Sequence, residues 1–394
     1  MHWLRNILNQ IAPHFEKGGK LEQLAPVFEA TDTILFSTDE RTESGPHIRD
    51  SVDIKRVMIL VVIALIPCYI FGAINVGYQK SLTFNVQATW AENLVTGLLA
   101  ILPIIGVTFA SGAFWELLFG IIRKHPISEG FLVTCALIPL TLPPSIPLWQ
   151  VAIATSFGIV IGKEIFGGVG MNIFNPALMA RAFLYFTYPV DISGDKVWAI
   201  SPDGYSGPTA LSIAAGQKNA DALDLLNQAS VNLAFDYSWM NMFLGFIPGS
   251  IGETNKILII LGALFLILLG ITSWRVMAGS VIGLFVMGYA MNLLAPYSSN
   301  AMLTIPPHYH LVMGSFLFGT VFMATEPVTG AHTDLGRWIF GFLVGLLTVI
   351  IRSINPAYPE GIMLAILLMN AFAPLIDYFV VQSNIKKRMV RYAQ

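Results

Sequence analysis

The sequence predicts an all-α polytopic membrane protein with about ten transmembrane helices, some of them broken. Three observations lead there. Of 394 residues, 55% are hydrophobic and only 12% charged, against roughly 25% charged in a soluble domain. The mean hydropathy is +0.67. Apolar runs long enough to cross a bilayer, about 20 residues each, recur along the chain with the few charges segregated between them. The formal net charge of -2 adds nothing to this.

The elements follow in order. Residues 1–55 are a polar lead. Met1 to Lys20 contains Pro13, Gly18 and Gly19 and lacks the apolar core of a cleavable signal peptide, so insertion through the spans themselves is expected. The first span, near 57–74, starts just after Lys55-Arg56. The second, near 94–121, runs up to Arg123-Lys124. The third, near 131–148, contains Pro139, Pro143, Pro144 and Pro147, and proline removes a helix donor and clashes with the preceding turn. The fourth and fifth, near 150–166 and 175–189, are separated by Gly167-Gly168-Val169-Gly170. Residues 190–256 are polar and are expected as one extracytoplasmic loop. Five more spans are expected near 257–273, 276–294, 311–325, 338–352 and 361–381, and residues 383–394 form a basic tail. The membrane part therefore divides into 56–189 and 257–382, with five spans each.

Orientation comes from Lys and Arg in the short loops. With the N-terminus in the cytoplasm, Lys55-Arg56, Arg123-Lys124, Arg275, Arg337 and Lys386-Lys387-Arg388 fall inside. The outer short loops receive only Lys80 and Arg352. Both termini are then cytoplasmic. Broken spans must line a cavity or pack inside protein, because lipid satisfies no backbone groups. Breaks in corresponding places of two halves point to a midplane binding site. Such a repeat is suggested by Pro147–Glu164 and Pro307–Glu326, each reading proline, aromatic, small-residue helix, Phe-Gly and then a carboxylate.

Glu116, Glu164, Glu326 and Asp377 lie in or at the ends of apolar spans. A charge at the bilayer centre costs about 2.5–3.5 kcal/mol on insertion scales, so such groups serve ion paths or pair with cations. Glu164 follows Lys163 and is expected as a solvated pair. Glu116 is two helical turns from Arg123, too far for contact. Asp377 has no cation near it in sequence. Glu326-Pro327 is either an ion-path carboxylate or a helix end in water. Cys68 and Cys135 sit in apolar runs and are expected as buried small hydrophobes. They are too few for a four-cysteine iron–sulfur site. The seven histidines show no zinc spacing, and His308 and His310 are expected at the outer interface. No phosphate loop or dinucleotide fingerprint is present.

Several stretches, in order and at consistent spacing, carry a resemblance. They are Pro13–Lys20, His47–Asp53, Phe114-Trp115-Glu116, Gly162-Lys163-Glu164, Asn175-Pro176-Ala177, Asp203–Gly207, Ile247–Glu253 and Asn355–Gly361. The chain resembles, essentially end to end, the family that unites the B-type subunits of Na+-translocating NADH:quinone reductases with the D-type subunits of RNF-type complexes. The resemblance implies a urea-transporter-like fold of two five-helix repeats. It also implies a redox-driven sodium pump in a bacterial inner membrane, with the other subunits of a six-subunit complex, a flavin transferase, quinone and lipid as partners and no nucleic acid.

The resemblance also assigns residues. FMN would be esterified through its phosphate to Thr209, within Asp203-Gly204-Tyr205-Ser206-Gly207-Pro208-Thr209. Glycines make that segment pliable; Asp203, Ser206 and Gly207 would be cofactor-binding residues with Thr209, Asp203 also serving the transferase. The family usually has alanine where this chain has Pro208. A non-covalent riboflavin would sit by Asn172 and Asn175, although Asn175 also suits a helix cap before Pro176. Quinone would meet Gly112, Ala113, Trp115 and Glu116; the family more often has glycine at the position of Ala113, and small residues there also suit helix packing. Sodium, a hard cation, prefers oxygen ligands, and Glu116, Glu326 and Asp377 would line its path. Two rival readings remain. One is a D-type subunit of an RNF-type complex, against which the lead of about 50 residues argues. The other is a flavin-free small-solute channel of the same fold.

Overall fold

The computed structural model describes residues 2–15, 28, 54–123, 130–202, 205–215, 217–233, 235–355 and 358–392. The expected transferase residue Asp203, most of the 1–55 lead and part of the Asn355–Gly361 stretch lie outside these. Among the described residues the chain is helical, with no strand.

In chain order the helices are α1 (His2–Ile11), α2 (Ile54–Thr83), α3 (Trp90–Arg123), α4 (Gly130–Leu140), α5 (Leu148–Val160), α6 (Pro176–Thr187), α7 (Pro189–Ile192), α8 (Ala210–Ala215) and α9 (Ala222–Asn232). Then come α10 (Trp239–Leu244), α11 (Lys256–Leu268), α12 (Trp274–Leu294), α13 (Tyr309–Val312), α14 (Phe316–Phe322), α15 (Asp334–Ile354) and α16 (Ile362–Tyr392). Six segments among the described residues are long and apolar enough to cross a bilayer: α2, α3, α5 with its following turn, α12 with its following turn, α15 and α16. α4 and α11 are apolar but shorter. The outward faces are apolar, as a lipid-facing surface must be: α2 exposes Ile59, Ile63, Ile66 and Ile70, and α11 exposes Leu261, Leu264 and Leu268.

Two helix pairs are packed backbone to backbone. Between α12 and α15, Gly279 and Gly283 face Gly341 and Gly345. A Cβ on Gly283 would overlap the Phe342 carbonyl, and one on Gly345 the Ser280 carbonyl. Between α2 and α3, a Cβ on Gly77 would overlap the backbone of Asn93, and one on Gly97 the carbonyl of Ala73. Small residues four apart allow this approach, which supplies dispersion contacts where lipid offers no hydrophobic drive.

The prolines of the third expected span do break it. α4 stops at Leu140, and residues 141–147 are not helical. The carbonyls of Leu140 and Leu142 then lack helix partners. They accept from Gly252 N at 2.8 Å and Ile251 N at 3.2 Å. Gly252 is needed there, since a Cβ would come 2.7 Å from that of Leu140.

The eighth expected span is also broken. It folds as α13 and α14, with Gly314 between them at φ +63. The freed carbonyls are satisfied by buried cations. Arg352 donates to the carbonyls of His310, Met313 and Glu360 at 2.7, 3.0 and 2.9 Å, and Lys256 donates to those of Gly314 at 3.0 Å and Glu253 at 2.5 Å.

Two expectations are overturned here. Arg352 is wholly buried at the end of α15, not in a loop, and His310 is buried as well, not interfacial. Moreover, Pro147–Glu164 holds one continuous helix while Pro307–Glu326 holds two short ones, so those stretches do not share a local structure. Cys68 and Cys135 are buried, as expected. The main core lies inside the helical bundle, and a second apolar cluster joins Ala210, Leu226, Phe235 and Tyr237 of the 190–256 segment to Met302, Ile305 and Met313.

Candidate functional site

Three polar assemblies interrupt the bundle, each at a helix break or end. The first joins α6 to the turn after α14. Asn175 caps α6, its side-chain oxygen accepting from Ala177 N at 3.0 Å and Leu178 N at 3.1 Å. Its amide nitrogen donates to Glu326 Oε2 at 2.8 Å, which also accepts from Thr329 Oγ1 at 2.9 Å. Asn172 is buried beside them and donates to the carbonyl of Phe174 at 3.1 Å. Asn172, Asn175 and Glu326 line a cavity of about 70 Å³ whose walls include Val57, Leu137, Phe322 and Lys163. The donor set of Asn172, Asn175 and Lys163 between apolar walls fits the polar edge of a flavin ring.

The second assembly is a buried charge chain. Lys163 bridges Glu116 of α3 and Glu164, the latter at 3.4 Å, and Arg123 reaches Glu164 at 3.5 Å. Lys163 and Glu164 are each 1% exposed, so the expected solvated pair is instead buried. The physical reason is Glu116: two carboxylates converge on one ammonium, which desolvation alone would forbid. Gly112 is likewise enclosed. A Cβ there would lie 2.5 Å from Cys135 Sγ and 2.8 Å from the Phe131 ring, so helix packing already fills that face. Ala113 and Trp115 are half-buried. Trp115 begins an aromatic file in which its ring lies 6.3 Å from that of Phe119, and the Arg123 guanidinium sits 5.1 Å over Phe119.

Asp377 stands apart from both. It accepts from His332 N at 2.7 Å, Thr333 N at 3.0 Å and Thr333 Oγ1 at 2.5 Å. Thr333 in turn caps α15 through Gly336 N at 3.1 Å. The two carboxylates therefore bracket the 326–333 turn, Glu326 at its start and Asp377 at its end.

The third assembly surrounds Thr209. Thr209 is half-buried and starts α8, its Oγ1 accepting from Ser212 N at 3.3 Å. The backbone before it is held firmly. Gly207 donates to the carbonyl of Asp195 at 2.7 Å, Tyr237 Oη donates to that of Pro208 at 2.6 Å, and Ser206 Oγ lies 3.4 Å from Asp195. Burial, aided by the Asp195 charge, pushes the Tyr237 phenol above its ordinary range and keeps it a donor. Thr209 lines two small cavities of about 20 and 10 Å³, and Glu360 lines both. Behind them Arg181 pairs with Glu360, and Lys256 and Glu253 are buried. A phosphoester fits this setting: a reachable hydroxyl beside buried cations.

Sequence reasoning missed Lys256, Arg181, Arg352 and the partner of Lys163. A signal existed for some. Glu253 and Glu360 lie in two of the stretches that carry the resemblance, and Arg181 is a lone cation in an apolar span.

The profile of the NQR2, RnfD, RnfE family matches residues 41–386. The chain is 48% identical to the B-type subunit of the Na(+)-translocating NADH-quinone reductase of Chromohalobacter salexigens over 411 residues, covering 99% of this chain and 97% of that one. It is 48% identical to the subunit of the same name from Azotobacter vinelandii over 412 residues, covering 98% and 99%. For Pseudomonas aeruginosa strain UCBPP-PA14 the figure is 46% over 411 residues, covering 98% and 99%.

Proposed function

This chain belongs to the NQR2, RnfD, RnfE family, and on that premise we propose that it is the B-type subunit of a Na+-translocating NADH:quinone reductase, passing electrons to quinone as sodium is exported. The observation that carries this is the match to subunits of that name over 97–99% of both chains, which takes in the polar lead. The protein is an all-helical, multi-pass membrane subunit of an enzyme complex. In this reading it lies in the bacterial inner membrane with both termini cytoplasmic. Ten passes form two five-helix repeats, the broken third and eighth passes being α4 with residues 141–147 and α13 with α14. NADH is oxidised on another subunit.

Flavins, when bound, take up one or two electrons and so match a two-electron quinone. The residues of this chain do the rest. Thr209 offers the ester oxygen on a segment fixed by Tyr237 and Asp195. Asn172, Asn175 and Lys163 supply the donors for a riboflavin edge. Trp115 and its aromatic file offer a stacking face for quinone, since Gly112 is packed against α4. Glu326 offers sodium an oxygen in the cavity that it lines with Asn172 and Asn175, and Asp377 holds the turn on which Glu326 sits. Export requires that two conformations differ in sodium affinity or access.

The test is a denaturing gel viewed under ultraviolet light, with the chain co-expressed with a flavin transferase and Thr209→Val run beside it. A fluorescent band absent from the variant supports the reading. A dark wild-type band refutes covalent flavin on this chain and favours the flavin-free channel.

A further inference from the structure

The buried charges behind Thr209 do not balance. Arg181, Lys256 and Arg352 are 5%, 1% and 0% exposed, and the carboxylates among them are Glu253 and Glu360, 4% and 9% exposed. Three cations face two anions. Glu360 takes Arg181 as its ion-pair partner. Lys256 is held by backbone carbonyls, and Arg352 by three carbonyls and a 3.5 Å contact of its Nη1 with His310 Nδ1; none of these partners is a carboxylate. An unbalanced buried charge is strongly unfavourable. Lys256 is also badly placed by the helix that carries it. It is the first residue of α11, where the helix dipole is positive and favours anions.

Two further facts show where a missing anion belongs. Lys256 lines a cavity that Thr209 also lines. Tyr358 lines the other Thr209 cavity, is 3% exposed, and its hydroxyl has no hydrogen-bond partner among the described residues. Lys256, with its ammonium, and Tyr358, with a spare phenol donor, thus each line a cavity that Thr209 also lines.

We propose that Lys256 and Tyr358 are the positioning residues for the phosphate that esterifies a flavin to Thr209, and that this group completes the charge balance of the buried cluster. A phosphate joined to two carbons carries a single negative charge, which equals the excess. The proposal rests on the flavin reading above and adds the residues that receive the phosphate. It also gives the modification a structural role: the modified protein is the stable one.

The test is a thermal-stability cycle on the full-length chain co-expressed with a flavin transferase, with ultraviolet fluorescence of each band recorded in parallel. Thr209→Val is combined with Lys256→Met and, separately, with Tyr358→Phe. In the otherwise wild-type chain, Thr209→Val is expected to lower the apparent Tm by about 2–4 °C, the shift that a change of order 1 kcal/mol produces in a domain of a few hundred residues. In the Lys256→Met background the same substitution is expected to leave Tm unchanged or raise it. Tyr358→Phe deletes only a hydroxyl, and so remains informative if Lys256→Met does not fold. It is expected to lower Tm of the fluorescent protein and to leave Thr209→Val unchanged. Additive shifts with a fluorescent wild-type band overturn the proposal alone. A dark wild-type band overturns the flavin reading and the proposal with it.

Discussion

Lys163→Met tests the buried charge chain directly. The ammonium serves Glu116 and Glu164 at once, and Lys163 and Glu116 are each 2% exposed at the side chain. Methionine fills a similar volume, so the substitution removes charge with little change in packing. Glu164 keeps Arg123 at 3.5 Å, on a side chain that is 33% exposed. Glu116 has no other cation partner among the described residues. The loss therefore falls on Glu116, and removing one partner of a buried pair costs about 3–5 kcal/mol. Adding Glu116→Gln removes the stranded charge and should recover most of that, whereas Glu164→Gln should recover little. The assay is apparent Tm of the purified chain for the three variants. If Lys163→Met is as stable as wild type, or Glu116→Gln adds a further loss, the assignment of Lys163 to Glu116 is wrong.

Gly345→Ala should lower stability by about 1–3 kcal/mol, the usual penalty of overpacking, because the obstacle is the Ser280 carbonyl and not a movable side chain. Gly106→Ala, where a Cβ meets nothing within 4 Å, should show no loss in the same Tm measurement. Asn175→Ala should cost about 0.5–2 kcal/mol through the lost α6 cap and also release Glu326. Asn175→Asp should restore the cap while setting a second carboxylate beside Glu326, so its activity curve against sodium should move although its Tm recovers.

What was legible in the sequence was covalent and local. Pro139 through Pro147 told of a break, and a break is what α4 shows. Asn175-Pro176 told of a cap, and the cap is there. Carboxylates in apolar spans announced polar assemblies in the membrane. The partners were not legible, because they come from distant elements. Nothing near Glu116 in sequence names Lys163, which reaches it only because α5 packs on α3. Nor does an apolar run ending in Arg352 reveal that a broken helix elsewhere needs donors for its carbonyls. Asp377 looked solitary for the same reason: its three donors belong to the 331–333 turn, more than 40 residues earlier.

The close pairing of α2 with α3 and of α12 with α15 limits how this protein can work. An interface of side chains can repack by changing rotamers. A carbonyl seated where a Cβ would stand has one register and no neighbouring one to slip into. These two pairs therefore behave as girders. A shape change in this protein is then carried by the short pieces between them, α4, α11, α13 and α14. Those are the pieces whose backbone ends rest on borrowed partners, Gly252 and Ile251 for one break, Lys256 and Arg352 for the other. A bond made by a lysine to a carbonyl can be exchanged for another without unwinding a helix, so the hinges of the machine are its borrowed hydrogen bonds.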